Sequence, residues 1–160
     1  MLLLSVSGKI LYESRFSLVR DALRDAVDRD INLENINLRK VNLTNINLHC
    51  AQLKGACLWG ARLGNSRLVD CSLENIDFRL CDLKHTIINE SRLNYSDFRG
   101  AQIKDIDLYN ADISHCVFSD PEFFNINLHE VKHLYKTIFT INGESNFYLE
   151  NAQHKKINVG

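Results

Sequence analysis

A step of five residues runs through most of this chain, from Ile31 to Glu130. Every fifth position carries a large apolar side chain, and a second series two residues earlier, from Ile31 to Ile126, is mostly small or apolar. The large apolar series comprises Leu33, Leu38, Leu43, Leu48, Leu53, Leu58, Leu63, Leu68, Leu73, Phe78, Leu83, Ile88, Leu93, Phe98, Ile103, Leu108, Ile113, Phe118, Phe123 and Leu128. This spacing constrains the fold more than any other feature of the sequence.

The five-residue step excludes the two simplest regular structures. A helix turns about 100° per residue, so the step would scatter the apolar residues around the cylinder. In a straight strand, residues separated by an odd number point to opposite faces. Both conflicts disappear if the chain turns a corner once in every five residues. Four such sides close a coil of about twenty residues, and residues 31–130 then make about five stacked coils.

The residues expected at the corners agree with this interpretation. In each unit the large apolar residue and the residue two before it point inward, the residue between them points outward, and the next two residues form the corner. The second corner position holds residues that are typical of tight turns. These are Asn35, Gly55, Gly60, Asn65, Asn75, Gly100, Asn110 and Asn125.

The repeating unit resembles that of a known family. Units 31–35, 61–65 and 111–115 read INLEN, ARLGN and ADISH, which is similar to the A-(D/N)-L-x-x unit of the pentapeptide repeat family. The resemblance covers residues 31–130, and the segment GKILYE with the helix after it resembles the cap of many bacterial members. The resemblance implies an all-β protein, a right-handed quadrilateral parallel β-helix, of a bacterial or phage type.

Residues 1–30 are predicted to form an N-terminal cap. Two short apolar strands around a Ser7-Gly8 turn indicate a hairpin over residues 1–13. An amphipathic helix follows, with Ser17 as its expected N-cap and its end near Arg29. Its apolar stripe needs a partner, and the open end of the repeat region is the nearest apolar surface.

Residues 131–160 are predicted to form a C-terminal cap and tail. The five-residue register fails after Val131, because His133 occupies the expected apolar position. The following residues indicate a hairpin with a type I′ turn at Asn142-Gly143. A cap would protect the exposed edge, and a dimerisation surface for a homodimer is the alternative. Pro121 falls at an inward position and predicts a local distortion.

Composition narrows the possible functions. The formal net charge is -1, so bulk charge does not favour direct nucleic-acid binding. The five cysteines are odd in number and none form a C-x-x-C pair, which argues against a disulfide framework or a zinc site and favours a reducing cytoplasm. Met1 to Leu4 is too short and too soon interrupted to form a signal peptide or a membrane span.

Two sets of charged residues are candidate interaction surfaces. With a period of twenty, side chains of successive coils stack about 4.8 Å apart. The first set contains Arg39, Lys40, Trp59, Arg79 and Arg99, which make either a cationic stripe with Trp59 between two guanidiniums or a surface ladder neutralised by Asp77 and Asp97. The second set contains Asp70, Glu90, Asp107 and Glu130, opposed there by Arg67, and is either a solvated face or an imitation of DNA phosphates.

The charge is unevenly distributed along the predicted rod. Residues 31–69 contain one acid and five bases, for a charge of +4, whereas residues 70–130 contain twelve acids and five bases, for a charge of -7. Some pentapeptide repeat proteins bind DNA gyrase as DNA mimics, so the family resemblance gives the acidic interpretation weight. The basic first coils argue against it.

No catalytic or metal-binding arrangement is predicted. His49 and His129 share a column but lie four coils apart, and His85 and His115 stand at separate corners, so no metal geometry is expected. The large apolar residues should fill the interior, including the core ladder of Leu33, Leu53, Leu73, Phe78, Leu93, Phe98 and Phe118. We therefore expect a non-enzymatic scaffold for protein interaction without a cofactor, with a gyrase-binding DNA mimic and a mere spacer as alternatives.

Overall fold

A computed structural model describes residues 1–119, 127–141 and 145–149. The elements within these ranges are strands β1 (Leu2–Leu4) and β2 (Ile10–Glu13), helix α1 (Val19–Asp28), strand β3 (Val117–Ser119), a short 3-10 helix (Leu128–Glu130), and strands β4 (Thr137–Ile141) and β5 (Ser145–Leu149). Between α1 and β3 the chain forms regularly spaced isolated bridges and corners rather than long strands. The predicted distortion at Pro121 lies outside the described residues.

The repeat region winds with a period of twenty residues. Parallel bridges join each side to the equivalent side of the next coil, for example Asn37 to Cys57 and Cys57 to Asp77. Most of the described corners are closed by a hydrogen bond such as that from the Ile36 N–H to the Leu33 carbonyl, at 3.1 Å. The second corner residue has a positive φ even where it is not Gly or Asn, as at Leu80, where φ is 58°. The repeat therefore imposes the corner conformation on residues that rarely adopt it.

The interior is filled by stacked side chains. The seven residues of the core ladder are all at most 1% exposed. On one side, Phe78, Phe98, Phe118 and Phe139 form a continuous stack with ring centroids 4.7, 4.5 and 5.0 Å apart. Aromatic rings in this offset or parallel arrangement add to the stabilisation that comes from burial.

The polar members of the small inward series bond to the coil before them. Ser66 Oγ donates to the Leu43 carbonyl at 2.8 Å, and Thr86 Oγ1 donates to the Leu63 carbonyl at 2.9 Å. The buried thiols of Cys71, Cys81 and Cys116 make the equivalent contact at 3.0, 2.7 and 3.0 Å. A buried hydroxyl needs a partner, and the corner carbonyl twenty-three residues earlier supplies it.

The N-terminal residues pack on the first coil. Strands β1 and β2 pair antiparallel, and the Leu4 carbonyl accepts a hydrogen bond of 2.8 Å from the Asn37 N–H. Helix α1 contributes Ala22, Leu23 and Ala26, each 0% exposed, to the same core as the repeats. The predicted N-cap was wrong, because α1 begins at Val19 with Leu18 at the cap position and no side-chain cap bond.

The coil continues past Val131 after the insertion of one residue. Asp112 pairs with His133, and Val117 of β3 pairs with Ile138 of β4, so the spacing rises from twenty to twenty-one. Two amide groups, those of Lys132 and His133, donate to the single carbonyl of Ala111 and absorb the extra residue. The prediction that the register fails was therefore wrong in part, since a shift of one residue restores it.

The shift places new residues on the inward rows. Leu134 is 7% exposed and Phe139 is 1% exposed, and they continue the rows of Ile113 and Phe118. The boundary predicted at residue 130 therefore cuts through a coil. Strands β4 and β5 pair antiparallel, as in the expected hairpin, but β4 also extends the parallel stack. The predicted Asn142-Gly143 turn lies outside the described residues.

Candidate interaction surface

One row of inward residues, spaced by twenty, begins at Leu38 and runs to Phe118. The corner that follows this row carries the first candidate set, and we call it the tryptophan corner. Its described positions are Arg39, Lys40, Trp59, Gly60, Arg79, Leu80, Arg99, Gly100 and Ser119. Bridges spaced by twenty residues hold its coils in register. The five residues predicted for this surface therefore share one edge of the β-helix.

Trp59 lies beneath two cations from the preceding coil. The guanidinium carbon of Arg39 is 5.4 Å from the centroid of the indole ring, and the Nζ atom of Lys40 is 4.9 Å from it. Both distances allow an attractive cation–π interaction. The sequence predicted a second guanidinium at this ring, but the second cation here is Lys40.

The arginines of the later coils are held by carboxylates instead. Arg79 donates to both oxygens of Asp77, at 2.8 and 2.9 Å, and its Nε lies 3.8 Å from Asp97. Arg99 donates to Asp97 through Nε and Nη2 at distances of 2.5 to 3.0 Å. Each of these guanidiniums has a neighbouring carboxylate to neutralise it, as the alternative interpretation of this surface expected.

The ion pairs alter the pKa of both carboxyl groups. The hydrogen bonds from Arg79 lower the pKa of Asp77, against a smaller effect of burial. For Asp97, burial is the largest influence and raises the pKa, but the hydrogen bonds from Arg99 and the charge of Arg79 outweigh it, and the pKa is lowered. Both groups therefore remain ionised and continue to neutralise the arginines down to pH values below the usual range.

The corner after the Leu48 row carries most of the second candidate set, and we call it the acidic corner. Its second positions are Cys50, Asp70, Glu90, Asn110 and Glu130. Asp107 lies on the adjacent side and accepts a hydrogen bond of 3.0 Å from Asn89 Nδ2. Asn110 interrupts the row of carboxylates between Glu90 and Glu130, and Arg67 lies on the same side as Asp107.

The histidines make local contacts. His49 Nδ1 lies 3.0 Å from the Val69 carbonyl, and its Nε2 lies 3.2 Å from the Cys50 sulfur. His85 lies 3.5 Å from Asp105, and His115 stacks on Tyr95 at 4.5 Å. The side chain of His129 lies outside the described part of the chain.

Within the described ranges, no group of His, Cys, Asp and Glu side chains could hold a metal ion. Over the same residues, no helix is long and apolar enough to cross a membrane. The thiols of Cys71, Cys81 and Cys116 are buried, and burial raises the pKa of each to about 12. These thiols are consequently protonated at neutral pH and unsuited to act as nucleophiles.

The chain matches the family model described as "Pentapeptide repeats" in eight copies, over residues 29–65, 46–85 and 58–94. No curated protein matches it significantly. A solved pentapeptide repeat protein from the thylakoid lumen of Arabidopsis thaliana aligns with 19% identity and a TM-score of 0.35, over 57% of this chain and 62% of that one. The chain thus spans less than two thirds of that protein.

Two further solved structures resemble parts of the chain. A pentapeptide repeat protein from Nostoc Pcc 7120 aligns with 20% identity and a TM-score of 0.46, over 71% of this chain and 93% of that one. QnrB1, a plasmid-mediated fluoroquinolone resistance protein, aligns with 12% identity and a TM-score of 0.27, over 66% and 68%. From its repeats and the family match, the chain belongs to the pentapeptide repeat family and has the right-handed β-helix fold of that family.

Proposed function

We propose that this protein is a non-enzymatic, rigid scaffold that binds another protein through the outer surface of its β-helix. One observation carries the proposal. From Leu33 to Phe118, every member of the large apolar series with the five-residue step is at most 4% exposed, so side chains fill the interior. A substrate pocket needs a concave space of several hundred Å³, and a filled interior leaves none. Within the repeat, the outer rows are then the surface on which function can reside.

Rigidity supports a role in binding. The amide of Leu38 donates to the Cys57 carbonyl at 2.8 Å, and the amide of Cys57 donates to the Ile36 carbonyl at 2.9 Å. Equivalent bonds recur in the following coils and fix the position of each corner along the axis of the β-helix. A preorganised surface loses less conformational entropy when a partner binds. The corner rows therefore offer side chains in a pattern that a partner can recognise without rearranging the scaffold.

Affinity capture would test the scaffold proposal. Immobilised protein is incubated with native lysate of the source organism, and bound proteins are identified and quantified by mass spectrometry. We expect one protein to be retained in a constant ratio to the bait. Resin carrying the Leu83→Asp variant, whose core should be disrupted, serves as the control for adhesion to unfolded chain. Equal recovery on both resins, or no retained protein, would instead favour a spacer role.

The second candidate is a DNA mimic that inhibits or protects a type II topoisomerase such as DNA gyrase. The row of Asp70, Glu90 and Glu130 favours it, because these carboxylates share one edge of the rod. Asn110 and Arg67 interrupt the negative charge of that region, and Arg39 and Lys40 make another edge basic. DNA carries a negative charge about every 1.7 Å along its axis, so an interrupted row is a poorer imitation.

A supercoiling assay separates the two candidates. Purified protein at micromolar concentration is added to DNA gyrase with relaxed plasmid, with and without a quinolone. The scaffold proposal expects unchanged supercoiling and unchanged quinolone sensitivity. Inhibition or protection that is lost in an Asp70→Asn/Glu90→Gln variant, but kept in a Lys54→Gln control, would replace the scaffold proposal by the DNA mimic.

A further inference from the structure

We propose that Arg39, Lys40 and Trp59 form a binding site for a short acidic segment of a partner protein. The inference rests on the proposed function and narrows it to one edge of the first two coils. It also separates these residues from Arg79 and Arg99, which lie on the same corner but have carboxylate partners.

The matching positions of the four coils show why the cations without a carboxylate partner lie in the first coil. The outward residue two positions before each corner is Asn37, Cys57, Asp77 or Asp97. In the later coils this residue is an aspartate that binds the arginine two residues ahead. In the first coil it is Asn37, whose Oδ1 accepts the backbone N–H of Arg39, at 3.3 Å, and carries no charge that could pair with the guanidinium. Among the described residues, no carboxylate forms an ion pair with Arg39 or Lys40.

The corner brings the two exposed cations over the same ring. Lys40 has a φ of 57°, a conformation that is costly for a side chain with a Cβ atom. An added Cβ at Gly60 would lie 3.5 Å from Lys40 Cγ, so the stem of Lys40 passes over this glycine. The lysine headgroup and the guanidinium of Arg39 are thereby brought over one half-buried indole ring.

This arrangement suits neighbouring carboxylates on an extended segment. A guanidinium binds a carboxylate through two parallel hydrogen bonds, and the ammonium of Lys40 can bind a second carboxylate as a point charge. The exposed part of the indole ring offers an apolar contact between them. Aromatic and arginine side chains of this kind are enriched among the residues that dominate protein interfaces.

The charge distribution favours an acidic protein segment over a nucleic acid. The first part of the repeat, residues 31–69, has a charge of +4, and the remainder, residues 70–130, has a charge of -7. A nucleic acid long enough to follow the rod would meet the negative coils and be repelled. A segment with two or three carboxylates would contact the basic coils alone.

The single tryptophan of the chain makes the site directly observable. Intrinsic fluorescence of the intact protein is followed while an unlabelled peptide of about six glutamates without aromatic residues is added at low salt. We expect a saturable change in emission and no change with the glutamine peptide of equal length. The affinity should fall as salt is raised, because the contacts are largely exposed ion pairs.

Two charge-matched double variants locate the binding. Arg39→Gln/Lys40→Gln should weaken peptide binding by about tenfold or more, because it removes both cations. Lys54→Gln/Lys104→Gln removes the same charge from exposed positions on other corners and should change the affinity by less than about twofold. Circular dichroism and thermal unfolding of both variants verify that each remains folded.

Several results would overturn the inference. These are no response to the glutamate peptide, an equal response to the glutamine peptide, an equal loss in both double variants, or tighter binding of a single-stranded oligonucleotide of matched charge. Affinity capture distinguishes this failure from that of the proposed function. A protein retained equally by the wild type and by Arg39→Gln/Lys40→Gln would support the scaffold proposal and reject this site. Peptide binding without any captured protein would support the site and reject the scaffold proposal.

Discussion

The phenylalanine stack allows a quantitative test of how the core is stabilised. Phe98 stacks on two rings, those of Phe78 and Phe118, whereas Phe78 ends the stack because Leu58 precedes it in the row. Phe98→Leu removes two stacking contacts, each worth about 0.5–1.5 kcal/mol. The smaller side chain also leaves a void that costs about 0.5–1 kcal/mol. The expected loss of unfolding free energy is therefore about 1.5–4 kcal/mol.

Phe78→Leu is the matched control, because it makes the same chemical change at an equally buried position. It removes only one stacking contact, so its expected loss is about 1–2.5 kcal/mol, roughly 1 kcal/mol less than that of Phe98→Leu. The measurement is equilibrium urea unfolding followed by both circular dichroism and Trp59 fluorescence. Coincident curves are needed, because stacked repeats can unfold in parts. Equal losses in the two variants would refute the contribution of stacking and leave only the void.

Four further changes test other parts of the structure. Leu83→Asp should abolish cooperative unfolding, because it buries a charge without a partner, and an unchanged melting temperature would contradict the inward position. Thr86→Val keeps the shape but removes the bond to the corner carbonyl, so urea unfolding should show a loss of about 0.5–1.5 kcal/mol, and no loss would make that bond irrelevant. A thiol reagent at pH 8 should label the exposed Cys50 first and all five cysteines only in urea. The reason is that burial raises the pKa of Cys71, Cys81 and Cys116 to about 12. Rapid labelling of several thiols in the folded protein would disprove this. Arg79 lowers the pKa of Asp77 in the folded state, so the pair stabilises the protein above the ordinary carboxyl pKa of about 4, and this stabilisation is lost as pH falls through the lower folded value. Asp77→Asn should therefore flatten the acid side of a plot of unfolding free energy against pH. An unaltered plot would show that the pair does not contribute to stability.

The overall winding was predictable because burial enforces one period on the whole repeat. Leu33 and Phe98 could be placed inside from spacing alone, because each unit has two inward positions and only one of them carries a large apolar residue in every repeat. The corners were predictable for the same reason, although Leu80 and Tyr95 occupy left-handed positions that their own preferences disfavour. Here the tertiary period overrides local propensity.

Other features depend on choices that spacing does not determine. The inserted residue near His133 is absorbed by two amides that share one carbonyl, a hydrogen-bonding arrangement that the spacing of apolar residues does not reveal. The stem of Lys40 passes over Gly60 and its ammonium reaches Trp59, which is a matter of side-chain conformation rather than of sequence position. The bonds from buried hydroxyls such as Ser66 to a corner carbonyl also require the relative height of two coils.

The uniform parts of this repeat and its exceptions have different consequences. Where Asp77 and Asp97 recur beneath Arg79 and Arg99, the corner is electrostatically balanced and adds little that a partner could recognise. Asn37 and Cys57 break that pairing in the first two coils, and the break coincides with Arg39 and Lys40, which have no ion pair among the described residues, and with the single tryptophan of the chain. A repeat that serves only to fold has no need for these exceptions to fall together. Their coincidence at one edge is the physical reason to look for binding at Arg39, Lys40 and Trp59 before any other surface of the β-helix.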